Sequence, residues 1–283
     1  MTRTYVLTLS CPDRPGLVAE VAAKVRDVDG NITEAQQFND KDTDQFFMRV
    51  RFETTQARET IARGFAQTAD RLRMQWQLRD AAERERVLIL VSKFDHCLAD
   101  LMYRERIGEL NMDVVGVICN HPRDALNIPL VEDIPFHHLP VTPETKAQQE
   151  AQIKALVTEY RADLVVLARY MQILSDDLSR FLSGRCINIH HSFLPGFKGA
   201  RPYHQAHARG VKMIGATAHY VTSDLDEGPI IHQDVEPISH VDSPDDLVRK
   251  GRDIERRVLA MAVHYHLEQR VLLNGSRTIV FRD

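Results

Sequence analysis

Hydrophobic and polar positions alternate over residues 5–10, then recur at helical spacing at Leu17, Val18, Val21, Ala22 and Val25. A strand over 5–10 and a helix over 17–28 are predicted. They are joined by Cys11-Pro12-Asp13-Arg14-Pro15-Gly16, a cluster of turn formers. Asp29-Gly30-Asn31 then leads into a strand over 32–38, and Asp40-Lys41-Asp42 into another over 46–53. A helix over 56–73 and a strand over 74–78 complete the order βαββαβ, that of a ferredoxin-like unit.

The pattern changes after a charged linker at 81–86. Continuous apolar runs appear at 87–91, 114–119, 164–168 and 187–189, as expected of parallel strands covered on both faces. Helical patterns at 97–110, 145–160 and 176–181 separate them, and this alternation predicts a doubly wound sheet. A strand pair at 216–221 and 230–235, a long amphipathic helix over 245–267, and a terminal turn with a short strand at 274–281 follow. The expected class is α/β. A ferredoxin-like domain over 1–80 and a linker at 81–86 precede a doubly wound, mostly parallel-sheet domain over 87–283.

Composition narrows the function more than the fold. The chain has 283 residues, 43% of them hydrophobic and 27% charged, enough for two buried cores. A formal net charge of -4 with no Lys/Arg run argues against a nucleic-acid or membrane partner. Cys11, Cys97, Cys119 and Cys186 show no paired spacing and read as reduced, apolar residues. The chain opens directly on an alternating strand, without an apolar signal region or a spanning run, so a cytoplasmic protein is expected.

The candidate chemistry lies between residues 186 and 231. Asn188 and His190 share one face of the run at 187–189, and Ser192-Phe193-Leu194-Pro195-Gly196 ends that strand. In open α/β sheets, ligands bind at such carboxyl ends. Asn188 offers an amide N–H to a developing oxyanion, His190 can carry a proton, and Asp226 can hold the imidazole and position a water. No Gly-x-Ser-x-Gly elbow supplies a nucleophile. Taken alone, Asn188 and His190 read equally as caps of neighbouring backbone, and 226–229 as an ordinary turn.

Asn188-Ile189-His190, the loop at 192–196 and Leu225-Asp226-Glu227-Gly228-Pro229 resemble, at this separation, the signature of the folate-dependent formyltransferase family. The resemblance spans roughly residues 86–270. It implies that Asn188, His190 and Asp226 are catalytic. It also implies that folate lies between Met171, Gln172, Ile173 and Leu174 and the loop carrying Val221 and Leu225. Arg169, Lys198 and Arg201 are candidate partners for its anionic tail. No metal or other cofactor is implied, and His137-His138, His204 with His207 and His264 with His266 lack metal-site context.

His191 stands where transferases of the family usually carry Pro, and, together with Gly199-Ala200-Arg201-Pro202-Tyr203, resembles the deformylase branch. That branch hydrolyses 10-formyltetrahydrofolate to formate and tetrahydrofolate, supplying formate for purine synthesis. Ser92-Lys93-Phe94-Asp95-His96 lacks the glycine-rich turn with which glycinamide ribonucleotide transformylase holds phosphate. Transfer to an amine acceptor such as glycinamide ribonucleotide is the alternative. At strand spacing His191 is expected to face away from His190. The N-terminal unit resembles an ACT domain, a module for small effectors. That implies an effector site at Asp13, Arg14, Pro15, Gly16 and Asn31, glycine or methionine as effector, and a homo-oligomer formed through ACT domains.

Overall fold

In the computed structural model, the alternating stretch near the N-terminus is β1 (Arg3–Pro12), followed by α1 (Leu17–Arg26), β2 (Asn31–Asp40), β3 (Gln45–Thr54), α2 (Arg58–Leu72) and β4 (Gln75–Asp80). The structure describes residues 1–126, 134–196 and 202–283. The four strands form one antiparallel sheet in the order β2-β3-β1-β4, the ferredoxin-like arrangement expected. Tyr5, Leu7, Leu9, Met48 and Val50 pack from the sheet against Val21, Val25, Phe65 and Leu72 of the two helices. Each such apolar side chain contributes about 1.5–3 kcal/mol by leaving water.

The second unit, Arg84–Leu267, contains β5 (Glu85–Val91), α3 (His96–Arg106), β6 (Met112–Cys119), β7 (Phe136–His138), α4 (Lys146–Glu159) and β8 (Leu164–Leu167). It continues through α5 (Asp176–Phe181), β9 (Cys186–His190), α6 (Pro202–Arg209), β10 (Met213–Tyr220), β11 (Ile230–Pro237) and α7 (Pro244–Leu267). Its seven-stranded sheet runs β11-β10-β9-β8-β5-β6-β7. The strands from β7 to β9 are parallel, and β10 and β11 are antiparallel additions at one edge. Strand order reverses between β5 and β8, so a crevice opens at their carboxyl ends. Burial matches the apolar runs: all four residues of β8 are buried, as are the last five of β5. All four cysteines are free and buried.

Two expected boundaries are corrected. Glu85 is not linker: it opens β5, opposite Met112, and lies 3.4 Å from Nε2 of His266. The last residues do not belong to the second unit either. Glu268–Asp283 joins Met1–Glu83, and carries the hairpin β12 (Val271–Asn274) and β13 (Arg277–Val280) in place of a lone strand. Polar contacts, beside the buried Phe281, hold this tail. Arg270 pairs with Glu34 at 3.1 Å, Asn274 Nδ2 donates to Asp40 Oδ2 at 2.6 Å, and the backbone carbonyl of Glu268 accepts from Nε of the fully buried Arg49. The short strand β7, with two histidines in three residues, and the helix α6 were not expected from the pattern.

Candidate active site

The parallel register pairs Leu167 of β8 with Asn188 of β9, which sets Asn188 and His190 at the mouth of the crevice. On the other side, β10 places His219 opposite Asn188. His219 is buried, and burial pushes its imidazole pKa down, so the ring is neutral. Its Nδ1 lies 2.9 Å from the Tyr220 carbonyl oxygen and donates to it. Nε2 is then the acceptor for Asn188 Nδ2, at 3.3 Å. The arrangement fixes the Asn188 amide and leaves its second N–H for a ligand.

Asp226 arrives from the turn between β10 and β11 with φ of 57°, a left-handed conformation that Asp tolerates better than most residues. The turn is tied by Tyr220 N to Pro229 O at 3.0 Å and Thr222 Oγ1 to Asp224 O at 3.1 Å. Oδ1 of Asp226 lies 3.3 Å from His190 Nδ1 and 3.9 Å from His219 Nε2. The hydrogen bond from His190 holds the Asp226 carboxyl below its usual range, against the upward push of burial. His190 thus presents Nε2 to chemistry. That atom has no hydrogen-bond partner among the described residues.

The trio opens on a cavity of about 620 Å³, within the usual range for a small-molecule site. Met171, Gln172, Ile173 and Leu174 line this cavity, as do Val221 and Leu225. Lys198 and Arg201 lie outside the described residues, as does the stretch 199–201 of the motif that precedes Tyr203. His191 does not face away from His190. β9 ends at His190, so strand alternation no longer applies, and the two rings sit with centroids 5.2 Å apart beside the same cavity. Burial and the nearby Arg169 push the His191 pKa down to about 4, which keeps this ring neutral.

The same cavity carries a group that the sequence pattern leaves partly hidden. Glu255 of α7, 1% exposed, lies 2.8 Å from His96 Nε2 and 3.3 Å from Arg169 Nε, and accepts the Tyr203 hydroxyl at 2.6 Å. A carboxylate among Ile254, Val258 and Leu259 was the available signal, since a charge on a buried stripe demands partners. His96, Cys97 and Glu255 also come within 4.8 Å of one another, the geometry of a cation site. The residues fit a cation poorly. The same carboxylate already holds a guanidinium, and burial raises the Cys97 pKa well above its usual value, keeping the thiol protonated.

In the first unit, Asp13 accepts from Asn39 Nδ2 at 2.8 Å, and Gly16, at φ of 92°, opens α1. Asn31 pairs with Glu53 at the far end of β2, whereas Asp13 N bonds Asp44 O near the end marked by Asp40 and Gln45. Nine residue-to-residue steps of strand separate the ends, about 30 Å. Asp13, Arg14, Pro15 and Gly16 are therefore together in one chain, and Asn31 is not with them.

A family model for formyl transferase matches residues 85–263, and one for the ACT domain matches residues 5–63. The chain is 48% identical over 281 residues to a formyltetrahydrofolate deformylase from a Corynebacterium species, covering 98% of each protein. The chain belongs to the formyl transferase family. Among solved structures, a formyltetrahydrofolate deformylase from Burkholderia mallei superposes with a TM-score of 0.93 at 53% identity, over 99% of this chain and all of that one. A glycinamide ribonucleotide transformylase from Symbiobacterium toebii shares 28% identity at a TM-score of 0.63, over 70% of this chain and 95% of its own. The formyl transferase match falls on the second unit and the ACT match within the first.

Gly228 shows how tightly the formyl transferase unit holds its aspartate. A Cβ there would stand 1.7 Å from the Tyr220 carbonyl oxygen and 3.1 Å from His219 Nδ1. Backbone cannot yield as a side-chain tip does. Gly228→Ala is expected to destabilise by about 2–4 kcal/mol, seen in thermal unfolding, and to lower kcat because the turn carrying Asp226 must shift. Wild-type unfolding and kcat in this variant would contradict the packing described.

Proposed function

We propose that this chain hydrolyses 10-formyltetrahydrofolate to formate and tetrahydrofolate. Its whole-length similarity to proteins named for that activity supports the reading. The single observation that carries it is local: an amide, an imidazole and a carboxylate converge on one cavity, with no nucleophilic side chain bonded to the imidazole among the described residues. Ser192, near in sequence, is buried and donates to Gly196 O at 2.8 Å. The nucleophile is then water.

In this reading the pterin and the formyl-bearing nitrogen lie between the walls at 171–174 and 221–226. A water oriented by ionised Asp226 attacks the formyl carbon and a C–O bond forms. The carbonyl electron pair moves to oxygen, where the second N–H of Asn188 and Nε2–H of His190 hold it. Asp226, on Nδ1, stabilises His190 while it carries both protons. As the C–N bond breaks, His190 passes its Nε2 proton to the leaving nitrogen. Of the two protons of the attacking water, one replaces the Nε2 proton that His190 gave to nitrogen and the other leaves as formic acid ionises, while the water oxygen stays in formate.

The deciding experiment incubates the protein with 10-formyltetrahydrofolate, with and without glycinamide ribonucleotide. The expected result is formate equal to the folate consumed, with no acceptor needed. A formylated amine as the main product would establish transfer instead. For the ACT domain the proposal is a glycine or methionine effector held between two copies. One copy supplies Asp13, Arg14, Pro15 and Gly16, and the other Asn31, which the separation along β2 prevents a single chain from doing.

A further inference from the structure

The cavity has a second half that the proposed folate side does not use. Phe94, His96, Arg169, Tyr203, Arg252 and Glu255 line it. Its fixed charges do not balance. Arg169 and Arg252 approach the same Phe94 ring, with guanidinium carbons 5.6 Å and 5.8 Å from its centre. The carboxylate in this cluster among the described residues, Glu255, is satisfied by His96, Arg169 and Tyr203. Arg252 ion-pairs with no carboxylate among the described residues. Arg169 is 8% exposed, and its Nη1 is buried without a hydrogen-bond acceptor among them. A buried guanidinium N–H left unmet costs stability unless something in the site accepts it.

Arg169 is held in place at some expense. Its φ of 66° is a left-handed conformation that a long side chain rarely adopts. The backbone persists because Ser92 N donates to Arg169 O and Ala168 N to Leu90 O. Such strain concentrates where a side chain must be aimed. The wall from here to the catalytic histidine is continuous. Tyr203 bonds Glu255, the Tyr203 and His191 rings sit 6.4 Å apart, and His191 adjoins His190 at 5.2 Å.

We propose that Arg169 and Arg252, flanking Phe94, form a carboxylate subsite that takes formate as it leaves the catalytic trio. The inference rests on the hydrolytic reading for the identity of its ligand. Formate is born as an anion beside ionised Asp226, which repels it. Among the described residues, the arginines that line the cavity are these two, and Arg169 carries a buried N–H without an acceptor. Charge and position together give the product a separate place from the folate, so that it clears the reacting centre before tetrahydrofolate departs. The carboxylates of the folate tail share this chemistry and are the competing source.

The test is binding without turnover. ¹³C-labelled formate is titrated into the full-length protein and followed by NMR line broadening. Formate has only three heavy atoms, so a dissociation constant no tighter than about 1 mM is expected. Arg252→Gln alters an exposed helical position and is expected to fold and to weaken formate at least tenfold; Arg169→Lys, which keeps the charge but not the planar donor, is expected to weaken it as well. Folic acid and pteroic acid, which lacks the glutamate, serve as competitors. Formate that stays bound in the presence of both supports the subsite. Displacement by folic acid alone would assign the arginines to the tail, and absence of formate binding, or an unchanged constant in Arg252→Gln, would overturn the proposal. Formate binding by a protein that proves unable to hydrolyse the folate would refute the function while leaving the subsite standing.

Discussion

Asp226→Asn is expected to lower kcat by about 10³–10⁴-fold while changing folate affinity less than about threefold. The amide loses the charge that stabilises a doubly protonated His190. It can also turn its NH₂ toward Nδ1, now 3.3 Å from Oδ1, and so reverse the tautomer, leaving Nε2 with a proton it cannot renew. The group's pKa fixes the pH behaviour. The bond from His190 holds it below its ordinary 3.8. Stability from this carboxylate is fully present above the unfolded value and fades as pH falls through the lower folded one. The stability difference between wild type and variant should therefore shrink on acidification, and the acid limb of kcat/KM due to Asp226 should lie below 3.8. Single-turnover rates, a folate titration and unfolding at several pH values check all three. A rate loss under tenfold with folate binding intact would remove Asp226 from the chemical step.

The parts of this site that were legible in the sequence are those for which local spacing suffices. Asn188 and His190 are two apart on a strand, and that alone puts them on one face. Apolar runs mark β5, β8 and β9 because parallel strands here are covered on both faces, and the alternation of β1 marks the ferredoxin-like sheet. What stayed hidden depends on partners far along the chain. Nothing local to Arg169 announces a left-handed backbone in a non-glycine residue, and nothing near Glu255 names His96 and Tyr203 as its partners. A period of two predicts the wrong face for His191 because β9 ends one residue before it. The sequence pattern does not place the tail with the first unit because ion pairs and amide contacts to β2 and the buried Arg49 of β3 leave no hydrophobic period to read.

Asn188→Ala is expected to reduce kcat by about 10²–10³-fold, the effect of deleting one oxyanion donor. KM should move little, because the donor meets an oxygen that gains its full charge only in the transition state. The geometry permits a sharper expectation. His219 touches no reacting atom in the proposed pose. It holds the Asn188 amide through Nε2 at 3.3 Å while its own Nδ1–H is committed to Tyr220 O. It is a positioning residue, and its effect on rate should pass through Asn188. His219→Ala alone should therefore lower kcat, and in the Asn188→Ala background it should lower kcat hardly further, although both backgrounds lose stability from the space vacated. A double-mutant cycle on kcat, with unfolding measured in parallel, separates the two contributions. Additive rate losses would mean that His219 acts on the reaction by a route other than the amide, most directly through Asp226 Oδ1 at 3.9 Å. Full activity in Asn188→Ala would remove the oxyanion contact, and with it the reason for both strands to end at this cavity.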